Sequence, residues 1–107
     1  MSELKKVIKD GKVAILYSPG FGAGWYSWNE SVPQCLFSPE IVALVLANQN
    51  DIITDEYCQE LFGVDYFYAG GADSLTIHWM TQGTAFNIDE YDGSESIVTM
   101  DHISLTA

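Results

Sequence analysis

Four carboxylates crowd into seven residues late in the chain, at Asp89, Glu90, Asp92 and Glu95. They flank Asp92-Gly93, a pair that between two strands signals a two-residue type I′ turn. That turn sets Tyr91 opposite Ser94, Glu90 opposite Glu95, Asp89 opposite Ser96 and Ile88 opposite Ile97. The isoleucine pair suits a packed face, whereas like charges directly opposite one another oppose folding. Three chemistries compete for such a turn. A calcium loop aligned on Gly93 would put Ile88 at its first ligand position and Thr99 at its twelfth, so the pattern fails. A hydrolytic acid–base pair needs desolvation to raise one pKa, which an exposed turn does not supply. A contact patch for lysines and arginines of a partner would relieve the repulsion. The structural alternative is a solvated turn with its side chains splayed apart.

The second chemical candidate is Ser18-Pro19-Gly20-Phe21-Gly22-Ala23-Gly24-Trp25-Tyr26-Ser27-Trp28. Glycines at 20, 22 and 24 imply backbone dihedrals outside ordinary strand or helix. A glycine-rich turn after a strand invites a phosphate reading, but the sixth position of G-x-G-x-x-G is Trp25, and no Lys-Ser or Lys-Thr follows. A nucleotide-like ligand held by Gly20, Gly22, Gly24, Trp25 and Tyr26 is therefore the alternative expectation, with backbone donors alone for its phosphates. The rings of Trp25 and Trp28 either fill the core or form a rim that anchors a partner, and at least one belongs in the core because large rings usually bury.

Neither cysteine has the setting of a nucleophile. Cys35 lies in Val-Pro-Gln-Cys-Leu-Phe and Cys58 inside a helical pattern, and both are expected to be reduced and buried. His78 sits in a strand pattern between Ile77 and Trp79, and His102 follows Asp101. No third group orients a Cys–His pair, and these residues are not spaced for zinc. The expectation is a non-enzymatic protein with no catalytic residue, metal or cofactor. A hydrolase or transferase built on Cys35 or Cys58 is the remaining alternative.

The charge pattern widens the partner argument. Lys5, Lys6, Lys9 and Lys12 are the only basic residues, there is no arginine, and the formal net charge is −11. Thirteen of the 15 acidic residues follow Lys12, so most have no lysine or arginine nearby in sequence. Such a body repels nucleic acid and anionic membranes and attracts basic surfaces, although high charge also serves solubility. A hydrophobic content of 48% excludes a disordered chain. The apolar runs are too short to cross a bilayer, and the amino-terminal lysines precede no secretory apolar stretch. The cytoplasm is the expected compartment, or the host cytoplasm if the source is viral.

The elements that must carry these groups follow from caps and periodicity. Residues 1–107 are expected to form a single domain. Ser2–Lys9 reads as a short helix stopped by Gly11, with a hairpin through Asp10-Gly11 as its rival. Lys12–Tyr17 is a strand whose continuous apolar run suits an interior position. Ser38-Pro39-Glu40 starts a helix reaching about Ala47. Thr54 caps a second helix to about Leu61, and Gly63 closes it. Val64–Tyr68, Leu75–Met80, Thr84–Tyr91, Ser94–Met100 and a short piece at Ile103–Leu105 read as strands, with a turn at Ala69–Asp73. The class expected is α+β, with two to three short helices packed on a mainly antiparallel sheet of about five strands.

The run Leu16–Asn29, Tyr68-Ala69-Gly70-Gly71 and Glu90–Ser96 together resemble small uncharacterised proteins of phage and bacterial genomes. The resemblance implies an inhibitor of a host factor, since small acidic phage proteins are often such inhibitors, some by presenting carboxylates where DNA phosphates would lie. The expected partner is then a basic, nucleic-acid-binding surface of a host or defence protein. Asp89, Glu90, Asp92 and Glu95 would contact it, with Trp25 and Trp28 as anchors.

Overall fold

A computed structural model describes residues 5–20, 22–99 and 105–107. Its class is α+β, with two α-helices and two antiparallel sheets. The first sheet has the order β1 (Ile8–Lys9), β2 (Lys12–Tyr17), β3 (Thr76–Thr81). The second has the order β5 (Ser94–Thr99), β4 (Ala85–Tyr91), β6 (Leu105–Thr106). The strands are thus divided between two small sheets, where one sheet of about five strands was expected.

The amino-terminal helix expected over Ser2–Lys9 is replaced by its rival. Residues 1–4 lie outside the described residues, and Lys5–Val7 carry no regular structure before the β1–β2 hairpin. Asp10 and Gly11 take φ of 54° and 75°, the double left-handed pair that joins two twisted strands directly. Ile8 pairs with Val13 and Lys9 with Lys12.

β2 explains its own apolar run. Val13, Ala14, Ile15 and Leu16 are all fully buried, because both faces of the strand are covered. Ala14 and Leu16 join one apolar cluster with Trp25, Cys35, Ile41, Val42, Cys58 and Phe67. Val13 and Ile15 join another with Leu36, Phe37, Met80 and Phe86. Alternation along one strand therefore feeds two cores.

The helices sit where their caps place them. α1 is Pro39–Leu46, with the Ser38 hydroxyl accepting from the Ile41 amide at 3.3 Å and Pro39 in its first turn. α2 is Asp55–Phe62, where the Thr54 hydroxyl accepts from the Tyr57 amide at 3.1 Å and Gly63 closes the carboxy-terminal end. Short 3-10 turns fill Tyr26–Trp28, Pro33–Leu36, Asn50–Ile52 and Ala72–Ser74. No helix among the described residues is long and apolar enough to cross a membrane.

Val64–Tyr68 is not a strand. Its backbone at Tyr68 pairs with a side chain instead. The Tyr68 amide donates to Asn29 Oδ1 at 2.9 Å, and Asn29 Nδ2 donates back to the Tyr68 carbonyl at 2.9 Å. A third bond, from Nδ2 to the Trp25 carbonyl at 2.7 Å, fixes the amide orientation. The Asn29 carboxamide thus offers both groups of a strand partner without a ladder.

Candidate functional site

The two segments with chemical promise are one structure. β4 and β5 pair in the expected register, with Glu90 opposite Glu95 and Ile88 opposite Ile97. Asp92 and Gly93 take φ of 50° and 85°, the type I′ geometry. The glycine–aromatic loop lies directly against this turn. The Gly22 amide donates to the Asp92 carbonyl at 2.7 Å, Ser94 Oγ donates to the Pro19 carbonyl at 2.6 Å, and the Glu95 amide donates to the Ser18 carbonyl at 2.7 Å. Gly93 is buried under the loop, and a Cβ there would collide with Ala23 N and lie 2.7 Å from the Gly22 carbonyl carbon.

Glu95 holds the arrangement together. Its side chain is 2% exposed, so the expectation that it meets a partner is corrected. Oε1 accepts from the Ser18 amide at 2.8 Å. Oε2 accepts from the amides of Trp25 and Ser27, both at 2.8 Å, and from Ser27 Oγ at 2.7 Å. A carboxylate offers about four lone-pair sites to donors, and four donors meet it here. Charge-assisted bonds to backbone amides are among the stronger hydrogen bonds, and they offset the burial of the acid. Among the described residues no buried side-chain nitrogen or oxygen lacks a partner.

Glu90 faces Glu95 in register but serves a different donor. Its Oε2 accepts from the Gly93 amide at 2.6 Å, which ties the turn from inside the hairpin. The like-charge pair is tolerated because the loop supplies donors to one member and the turn to the other. Asp89, Glu90, Tyr91 and Asp92 are exposed. Tyr91, at 74% exposure, is the most exposed large apolar side chain of the described residues.

The two tryptophans divide between core and surface. Trp25 is fully buried, packs edge-on against Phe67 at 5.0 Å, and donates its indole N–H to the Cys35 carbonyl at 2.7 Å. Its expected role as partner anchor is corrected. Trp28 is 42% exposed and stacks on Tyr68 at 5.4 Å. Trp28, Gly22, Glu90, Asp92 and Gly93 line one open cleft.

The glycine segment shows how its donors are used. Amides of Ser18, Gly22, Trp25 and Ser27 are already bonded within the chain, to Glu95 or to Asp92. Gly24 is buried, and a Cβ on it would come within 2.9 Å of Trp28 Cδ1. Tyr26 is half-buried, and its hydroxyl pKa is raised, first by burial and then by the charge of Glu30. Cys35 and Cys58 are both buried, free thiols. Burial pushes Cys35 well above its ordinary value, with the Glu95 charge adding to it, and pushes Cys58 up to about 12. His78 is exposed on β3, and His102 lies outside the described residues. Among the described residues no cluster of three or more histidine, cysteine or acidic side chains could hold a metal ion.

Glu95 is the residue that the sequence reading misplaced, and its signal was present. Glu95 shares a strand face with Ile97, and Ile97 faces Ile88, so alternation puts Glu95 on the packed side. An acid on that side needs donors, and a glycine-rich loop has amides to spare. In comparisons with protein-family models, curated proteins and solved structures, no match to this chain was found.

Proposed function

We propose that the chain is a non-enzymatic binding protein whose acidic β4–β5 turn occupies a basic, nucleic-acid-binding surface of a host or defence protein. The observation that carries this reading is the cleft in which Trp28 stands beside Glu90 and Asp92. An aromatic ring with adjacent carboxylates suits an arginine or lysine side chain, which can lie on the ring and bond the acids. Asp89 adds charge at the same turn, and exposed Tyr91 adds apolar area. The turn is held in shape before binding by Glu95 and the loop, which lowers the entropy lost on docking.

A nucleotide-like ligand in the glycine segment has less support. Of the residues expected to hold it, Gly22 and Trp25 already donate their amides to Asp92 and Glu95, and no cation lies nearby in sequence. Catalysis by either cysteine has less support as well, because burial keeps both thiols protonated and enclosed.

The test is affinity capture from host lysate at about 0.05 and 0.5 M salt, with DNA or RNA as competitor. Captured partners should have basic surfaces, and capture should fall steeply at high salt. It should also fall with nucleic-acid competitor and in the Glu90→Lys/Asp92→Lys variant. Partners without basic surfaces, or capture indifferent to salt, competitor and charge reversal, would overturn the reading.

A further inference from the structure

The chain is polar along β2. At the Lys12 end, the Gln82 amide donates to the Gly11 carbonyl at 3.0 Å, joining the β1–β2 turn to the β3–β4 turn. At the Tyr17 end, Ser18 bonds Glu95 and Pro19 bonds Ser94, which places the acidic turn there. β4 bridges the ends, starting at Ala85 just past the first and finishing at Tyr91 at the second. The six residues of β2 hold the ends about 17 Å apart at ~3.3 Å per residue. Lys9 and Lys12 pair across the first end, and Asp89, Glu90 and Asp92 lie at the second, so one end presents lysines and the other carboxylates.

The basic end carries a groove. Val7, Leu46 and Trp79 supply apolar surface, while Lys9, Asp10 and Lys12 supply charge. Leu46, at the end of α1, is 65% exposed. Lys6 is committed elsewhere, donating to the Thr106 carbonyl at 2.9 Å and lying 4.7 Å from the Phe37 ring centroid. Lys9 and Lys12 are exposed beside the apolar surface.

We propose that this groove receives the acidic β4–β5 turn of a second copy of the chain. The complementarity is two-fold. Asp89, Glu90 and Asp92 meet Lys9 and Lys12, and the exposed Tyr91 ring covers Leu46 and Trp79. A foreign acidic peptide would satisfy the charges as well, but this turn also brings the apolar side chain that the exposed leucine requires. The net charge of −11 on each copy opposes approach at long range. At about 0.15 M salt that repulsion is screened beyond ~8 Å, whereas contact pairs are screened less. Donor and acceptor surfaces lie at opposite ends, so the contact is head-to-tail and leaves a free end on each side. Self-docking would cover the turn that the proposed basic partner uses, so partner and second copy would compete.

The test is sedimentation equilibrium of the full chain from about 10 µM to 1 mM at ~0.15 M salt. The intact chain should show masses that grow with concentration past the dimer. Lys9→Glu/Lys12→Glu should weaken association at least tenfold, as should Glu90→Lys/Asp92→Lys. An equimolar mixture of the two variants should associate again, because each then presents the complement of the other. Circular dichroism confirms that the variants fold, and Lys9→Gln/Lys12→Gln replaces the first pair if it does not. An intact chain that stays monomeric to 1 mM overturns the proposal, as does association that survives either variant or a mixture that stays monomeric. A monomeric chain that still captures basic partners would remove self-docking alone; self-association without such capture would remove the function proposed above.

Discussion

Replacing Glu95 tests whether a buried acid organises the candidate site. In Glu95→Ala the amides of Ser18, Trp25 and Ser27 and the Ser27 hydroxyl all lose their acceptor. A buried donor left unmade costs ~1–3 kcal/mol. Two of the three amide bonds are fully enclosed and the Ser27 groups are partly so, which gives a loss of about 3–5 kcal/mol once water reaches Ser27. A domain of this size has roughly 5–15 kcal/mol in all, so the alanine variant should lose a large share of its stability. Glu95→Gln separates charge from shape. Its oxygen can keep the three bonds made by Oε2, but its amide group then confronts the Ser18 N–H with another donor. About 1–3 kcal/mol should be lost, with faster hydrogen exchange at Ser18 than at Trp25. Urea denaturation and amide exchange measure both quantities. A glutamine variant within 0.5 kcal/mol of the parent, with unchanged exchange at Ser18, would refute the role assigned to the carboxylate.

Gly93→Ala should also destabilise the chain, by about 2–4 kcal/mol, because the new methyl meets the Ala23 backbone at a residue with φ of 85°. Thermal denaturation reads the loss, and a neutral result would mean that the loop does not lie on the turn. The thiols give an alkaline signature. Cys58 stays protonated to about pH 12 in the folded chain against an ordinary value of 9.0, so the unfolded chain releases its proton first. Stability should be unaffected below pH 9 and fall as pH rises from 9 toward 12, with thiol reagents silent at neutral pH until the chain unfolds. Equal stability at pH 8 and pH 11, or rapid labelling of the folded chain at neutral pH, would contradict the burial of both cysteines.

What the sequence made legible was local. Ser38, Pro39 and Glu40 start α1 and Thr54 and Gly63 bound α2, because caps and closing residues act within one turn. Asp92-Gly93 set the register of β4 and β5 for the same reason. Non-local competition decided the remainder. Val64–Tyr68 has strand composition, yet Asn29, 39 residues away, takes both backbone groups of Tyr68. The β1–β2 hairpin prevails over the helix expected at Ser2–Lys9, since Ala14 donates to the Val7 carbonyl at 3.0 Å. Glycines 20–24 invited an external phosphate because they follow a strand. The amides that flank them, those of Ser18 and Trp25, serve an internal anion instead, and it arrives from residue 95. Of the expected contact residues, Asp89, Glu90, Asp92 and Trp28 reach the surface.

That separation in sequence has a consequence for the order of synthesis. The Glu95 bonds span 68 to 77 residues, so the loop at 18–28 cannot close when it leaves the ribosome. Closing so long a loop is entropically slow, and until it closes Trp25 has no acceptor for its amide. β2 has one of its two cores completed by the same late strands. A nascent chain truncated just before residue 95 should therefore be sensitive to protease along its amino-terminal third. Adding the last strands should confer resistance in a single step, with the first part of the chain and the last maturing together.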